Sequence, residues 1–372
     1  MSKGRLRVGV IGCGGIAQMM HLPFLEKNAD RFEIAALCDL SDNVLSALAK
    51  RYHLPDTGCF TDYRMMLKQN LDAVLVTSGG DHTPQVRAAL LSGAHVFVEK
   101  PLCYTQAQAL ELGRLAQEQK LKLMVGYMKR YDPAYQRAPQ LLAGLGELRY
   151  VQLNTLHPEE EGYLYFQGLI QADDVAPETI RHLRAQEDQA ITAAVGEIPA
   201  YLRAEYTDVL LGSMVHDINV LRGLLGEPQK VLFAEHWPQG EKPGGITTTM
   251  MFSPDLRVVY TWVFLAELRD YSQEIALMSA SQRLRLQFPS PYLRHFPTSL
   301  THQYMKDGAA VEEKITVNYD EAFEQELLAF YDCVVNDREP LTGADDARAD
   351  IAVLQQILAG LHPVGLSGEA TG

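Results

Sequence analysis

Near residue 12 the sequence leaves few folds open. The apolar run Leu6–Ile11 breaks into Gly12-Cys13-Gly14-Gly15-Ile16-Ala17, and a helical pattern follows to about residue 28. A strand that enters a helix through glycines begins a βαβ unit, because glycines permit a tight turn and a close approach to the backbone. The alternation then continues. Strand-like runs cover residues 33–38, 73–76, 95–99 and 121–125, with helical patterns over 42–52, from Pro84 onward and over 105–119. Val44, Leu45, Leu48 and Tyr52 share one helical face, and Pro84 suits a first helical turn, where its missing N–H costs nothing. Strands alternating with such helices predict parallel pairing with right-handed crossovers, and so a doubly wound sheet. Ligands of such sheets sit outside the carboxyl ends of the strands.

At 372 residues the chain exceeds the ~250–300 residues beyond which one core stops growing, so two domains are expected. Residues 1–130 carry the alternating pattern and 131–372 form the second domain. Strand-like runs there cover 149–155, 229–236, 245–252, 256–264, 273–279, 282–288 and 312–318, with no useful helix between 229 and 318. They predict a mostly antiparallel sheet, and the class is α/β followed by α+β. An amphipathic helix over 321–336 places Phe323, Leu327, Phe330, Tyr331 and Val334 at helical spacing, and another is expected over 345–359. Residues 158–207 differ from the rest: acidic at Glu159–Glu161, then aromatic, then helical and charged. They are expected to be either a lid over the cleft or a solvated surface insertion.

Thirty-three basic against 47 acidic side chains give a net charge of −14, which argues against a nucleic-acid or anionic-membrane partner. A small anionic substrate stays possible, since a few local cations can dominate a pocket. The five cysteines, 13, 38, 59, 103 and 333, form no CxxC pair and read as buried thiols of a reducing compartment, with no metal site expected. Lys3, Arg5 and Arg7 before Val8–Ile11 imitate a signal peptide, but the apolar run is short and fits a first strand better. No run approaches the ~18 apolar residues of a membrane helix. The expected location is cytoplasmic.

Within the glycine stretch, Gly12 serves the turn, Gly14 the approach of a pyrophosphate and Ala17 close helix–strand packing. Gly15 and Ile16 then stand at a helix N-terminus, where free N–H groups and the dipole favour an anion. Asp39 comes 22 residues after Ala17 at the end of the second strand, where a carboxylate accepts from a ribose 2′-OH. It would repel a 2′-phosphate, and Leu40 and Ser41 bring no cation, so NAD is the expected cofactor rather than NADP. Ser78, Glu99 and Lys100, at the ends of later strands, complete the expected cofactor contacts. The structural alternative is a helix-capping Asp39 beside a plain glycine turn.

The glycine stretch, Asp39, Thr83-Pro84, Glu99-Lys100-Pro101 and Gly126-Tyr127-Met128-Lys129-Arg130 occur in an order that resembles the glucose–fructose oxidoreductase/inositol dehydrogenase/rhizopine-catabolism (Gfo/Idh/MocA) family. Gly212-Ser213-Met214-Val215-His216-Asp217-Ile218-Asn219 and Leu224-Leu225-Gly226-Glu227-Pro228 extend the resemblance into the second domain; 158–205 is the part unlike the usual member. The resemblance implies a Rossmann domain with an open-faced sheet domain, homo-oligomers (dimer or tetramer) through that sheet, and chemistry at one carbon of a sugar or cyclic polyol. It implies that Lys100 contacts the reacting hydroxyl and nicotinamide ribose, and that His216 binds or deprotonates that hydroxyl. The family's aspartate four residues before the histidine is Gly212 here, and the position three after it is Asn219. These departures argue against a plain inositol dehydrogenase.

Oxidising a secondary alcohol requires a base for the O–H proton and a hydride acceptor near the carbon. A free lysine, with pKa about 10.4, is a poor base until desolvation and a cationic neighbour disfavour its ammonium form. Histidine, near 6.5, can share or replace that role. Arg130 and Tyr127, past the fifth strand, are candidate substrate contacts, with Arg130 alternatively an anchor of the domain junction. His157, Tyr163, Arg203 and Tyr206 flank the unusual segment as candidate contacts for sugar hydroxyls or an anion, and Asp217 is structural or substrate-orienting. The leading expectation is an NAD-dependent dehydrogenase of a sugar, glycoside or cyclic polyol. Its rivals are an NAD-dependent glycoside hydrolase working by transient oxidation and elimination, and a non-catalytic NAD-binding regulator.

Overall fold

The computed structural model describes residues 4–159, 164–239 and 242–362. Strands β1 (Leu6–Ile11), β2 (Phe32–Cys38), β3 (Cys59–Phe60), β4 (Ala73–Val76), β5 (His95–Glu99) and β6 (Leu123–Gly126) form one parallel sheet in the order β3-β2-β1-β4-β5-β6. Val8, Val10, Val74, Leu75, Val96, Val98 and Met124 are fully buried in it. Covering both faces of a parallel sheet requires such continuous apolar strands, and each buried side chain of this size contributes about 1.5–3 kcal/mol. The chain direction of the strand order reverses between β1 and β4, where a doubly wound sheet opens its ligand crevice. Ser41 and Thr105 cap the helices Asp42–Arg51 and Gln106–Gln119 by accepting from Val44 and Gln108 N–H. The edge strand β3 carries no sequence signal, because two residues are too short to show a period.

A second sheet holds β7 (Leu148–His157), β8 (Lys230–Gln239), β9 (Lys242–Ser253), β10 (Leu256–Phe264), β11 (Ser272–Ser279), β12 (Arg283–Phe288), β13 (Ser299–Lys306) and β14 (Ala309–Ile315). Its order is β14-β13-β12-β11-β7-β10-β9-β8, and β7–β10 is its parallel pair. One face is apolar: Leu284, Leu286 and Phe288 are buried, while Arg283 and Gln287, which alternate with them, are exposed and Arg285 is half-buried. The sequence pattern missed β13, whose buried apolar residue is Leu300 alone, and set its neighbour near 312–318. The hairpin places that neighbour earlier. Asp307 and Gly308, at φ 52° and 79°, pair Lys306 with Ala309 through the two-residue turn that matches strand twist.

The chain forms two compact units. The first gathers the described residues of Met1–Tyr131, Glu161–Glu197 and Glu321–Ala349; the second those of Asp132–Glu160, Ile198–Asp320 and Asp350–Gly372. Among the described residues no helix is long and apolar enough to cross a membrane.

Candidate functional site

In the first unit the glycine loop follows β1. Gly12 has φ 87°, and a Cβ there would collide with the backbone of Ser78, so no other residue fits without displacement. A Cβ at Gly14 would meet nothing within 4 Å, which leaves the backbone open to a bulky anion at the helix start. The helix begins wide. Leu22 N–H bonds to Ala17 O, five residues back, across Ala17–His21. Asp39, at the end of β2, accepts from Cys13 N–H at 2.7 Å and from Ser41 N–H at 3.0 Å. Its carboxyl thus stands against the loop itself. The structure thus brings Gly12, Gly14, Gly15, Ile16, Ala17 and Asp39 together at the ends of β1 and β2. Cys13 is no nucleophile, since burial, with the Asp39 charge behind it, pushes its thiol pKa well up.

From this loop a short series of contacts leads to Lys100. Thr77 Oγ1 bonds to Gly12 O, and Ser78 abuts Gly12. The buried His82 places Nε2 2.6 Å from Ser78 O and Nδ1 2.7 Å from Pro101 O. Lys100 is half-buried at the exit of β5, joined to Pro101 by a cis peptide bond, and its N–H donates to Glu99 Oε2 at 3.2 Å. Glu99 Oε1 lies 2.8 Å from His21 Nε2. Glu326, fully buried on the helix Ala322–Asn336, completes a group with His21 and Glu99 whose ligand atoms all lie within 4.8 Å of one another. Burial, then the Glu99 charge, raises the Glu326 carboxyl well above its ordinary range. Tyr127 is buried after β6, and Arg130 pairs with Asp346 at 3.6 Å.

Apart from Tyr163, the remaining expected residues belong to the second unit. His216 is half-buried on the helix Val215–Leu225, which continues from a wide segment, Glu205–Met214. Asp217 on the same helix is 1% exposed. Its carboxyl accepts from Thr155 Oγ1 at 2.9 Å, from Tyr260 OH and from Gln273 Nε2. Gln273 in turn accepts from Tyr271 OH at 3.0 Å, and the Tyr271 ring lies edge-on to His157, 5.7 Å between centroids. His157 also faces Trp262, whose indole N–H donates to Ser213 Oγ at 3.0 Å. The structure therefore connects His157 to Asp217 through two residues. Tyr206 is fully buried and Arg203 half-buried; Tyr163 lies outside the described residues. Asn219 is buried with its amide on Asp350 at 2.8 Å. Asp208, the carboxylate upstream of Gly212, is exposed and bonded to Thr207.

Sequence reasoning missed His82, Gln18, Trp262 and Gln273. His82 stands directly before Thr83-Pro84, but one histidine in a loop has no spacing to mark it. The others acquire roles only from partners far along the chain.

Comparisons with known proteins agree with this architecture. The family model described as the oxidoreductase family, NAD-binding Rossmann fold, matches residues 6–127. An inositol 2-dehydrogenase/D-chiro-inositol 3-dehydrogenase of Shouchella clausii is 34% identical over 140 residues, 37% of this chain and 40% of that protein. The chain spans less than half the length of the curated relatives it matches first. Among solved structures, a 3-ketoreductase of Actinomadura kijaniata in complex with NADP superposes with TM-score 0.73 at 20% identity, covering 96% of this chain and 98% of that one. Aldose-aldose oxidoreductase of Caulobacter crescentus gives 0.74 at 18%, covering 96% and 97%. At such identities these two show the fold alone.

Proposed function

The chain belongs to the Gfo/Idh/MocA oxidoreductase family, and from that premise we propose that it is a nicotinamide-dependent dehydrogenase acting on a secondary hydroxyl of a sugar or cyclic polyol. The observation that carries this reading is the bridge from Gly12 through Ser78 and His82 to Pro101, which ties the glycine cradle to the strand end bearing Lys100. The bound nicotinamide would accept or return the hydride. Lys100 would hold or take the hydroxyl proton, its backbone fixed by Glu99 on one side and by His82 at Pro101 on the other. His216 is proposed for the same proton, an assignment carried by its motif position. NAD is the proposed dinucleotide, because Asp39 offers a carboxylate where a ribose hydroxyl donates. The first unit, residues 1–130 with the later segments that join it, would carry the cofactor, and the second unit the substrate.

The test is a panel of sugars, polyols and glycosides with NAD, following both NADH and product, for the unaltered chain and for Lys100→Ala. Loss of a general base lowers kcat by roughly 10²–10⁴-fold. We expect that loss with dinucleotide binding retained. Undiminished turnover in Lys100→Ala would remove Lys100 from the chemistry, and absence of any dinucleotide binding would end the reading.

A further inference from the structure

Within the first unit, the described part of the unusual segment makes contact with the strand-end loops at three places, the first of them on the glycine loop itself. Ile170 exchanges two hydrogen bonds with the Gln18 amide, its N–H donating to Oε1 at 2.9 Å and its carbonyl accepting from Nε2 at 3.0 Å. Beside this pair the Leu169 side chain stands 3.6 Å from where a Cβ on Gly15 would be. At the second place, Asp174 sits on the start of the helix Asp42–Arg51: Ser41 Oγ donates to Oδ1 and Asn43 N–H to Oδ2 at 3.0 Å. Asp173 takes the Asn43 side-chain amide at 2.9 Å. The third is Glu187, on the helix Pro177–Val195, which accepts from Tyr104 OH and occupies the space beside Gly80.

The second place matters most for which dinucleotide fits. Ser41 also holds Asp39 through its N–H, so Asp39 and Asp174 share one residue. A 2′-phosphate is an anion seeking donors immediately beyond the strand-end acid, where NADP enzymes offer a cation. Here the donors there, Ser41 Oγ and Asn43 N–H, are given to Asp174. Those hydrogen bonds, Ser41 first, hold the Asp174 carboxyl below its usual range, so it is charged at neutral pH. Asp42 and Asp173 add further negative charge. Arg64, which follows the adjacent edge strand, pairs with Asp62 at 3.5 Å.

We propose that residues 164–195 form a clasp on the dinucleotide cradle, and that Asp174 is a specificity residue that closes the clasp over an unphosphorylated ribose and excludes a 2′-phosphate. The proposal rests on the dehydrogenase reading and adds a second determinant to Asp39. A 2′-phosphate would have to displace Asp174 from Ser41 and Asn43 and then remain beside the acidic cluster. An unphosphorylated ribose leaves these bonds in place. The clasp therefore stays shut with NAD and is forced open by NADP.

The experiment titrates NADH and NADPH into the full chain by fluorescence, with Asp174→Ala and the double variant Asp173→Ala/Asp174→Ala, and follows limited proteolysis within residues 167–176. Removing one like charge and freeing two donors is expected to strengthen NADPH binding about five- to tenfold, with NADH changed less than about twofold. NADH should protect the clasp of the unaltered chain from proteolysis and NADPH should not. An unchanged NADPH affinity in both variants overturns the proposal. An equal gain for both dinucleotides also overturns it, since the clasp would then be a plug without selectivity. An unaltered chain that binds neither dinucleotide removes the dehydrogenase reading and this inference with it.

Discussion

Asp217 and Glu326 are both carboxyl side chains removed from water, one in each unit, and their surroundings differ. Asp217 stands among donors from three strands, Thr155 on β7, Tyr260 on β10 and Gln273 on β11. Glu326 has the Glu99 carboxylate for a neighbour, and burial with that charge raises its carboxyl well above the ordinary range. Burying a polar group is unfavourable unless hydrogen bonds replace water, and burying a charge more so. The second unit supplies the bonds. The first disfavours the charge. Hence Asp217 is expected to hold its unit together, while Glu326 lowers the stability of its own unit at neutral pH and is tolerated beneath the strand end that carries Lys100.

The largest expected effect tests the network. Asp217→Ala orphans three buried donors, each a loss of about 1–3 kcal/mol, so the total falls at about 3 kcal/mol or more. Denaturant unfolding of the full chain measures it, and a shift below about 1 kcal/mol would mean that the donors find other partners. Gly12→Ala comes next and asks whether backbone geometry weighs as much as a carboxyl network. Forcing an alanine to positive φ against Ser78 costs about 1–3 kcal/mol and is expected to abolish dinucleotide binding as well. Retained binding in a folded variant would show that the loop is not the cradle.

The smallest effect has a pH signature. An acid whose folded pKa is raised binds more protons folded than unfolded, so its contribution is complete below the unfolded value and falls as pH rises toward the folded one. For Glu326 that decline begins near the ordinary value of 4.5. Glu326→Gln, neutral at every pH, is therefore expected to match the unaltered chain in acid and to exceed it in melting temperature increasingly above that point. A difference that shrinks with rising pH would contradict a raised Glu326 pKa.

Much of the first unit was legible because its signals are local. β1, the glycines, Asp39 and Glu99-Lys100-Pro101 each show within a few residues, and β4 begins and ends where the apolar run does. The chemistry proposed for them follows from position at a strand end. The second unit was legible as a series of strands, not as a site. The alternation of Arg283–Phe288 marks a strand, but nothing near Gln273 announces that its amide will meet Asp217, 56 residues away. β13 failed for a related reason: its residues are mostly polar, and its pairing depends on the Asp307-Gly308 turn.

By itself, the sequence determined the doubly wound class, the glycine cradle and the strand-end lysine, because backbone periodicity and glycine stereochemistry act over a few residues. Tertiary structure alone decided that Glu326 meets Glu99, that His82 joins Ser78 to Pro101, and that Asp174 lies on Ser41. Such contacts are made only when the packing of apolar faces brings distant segments together. The charges and donors then have to accept the partners that packing gives them.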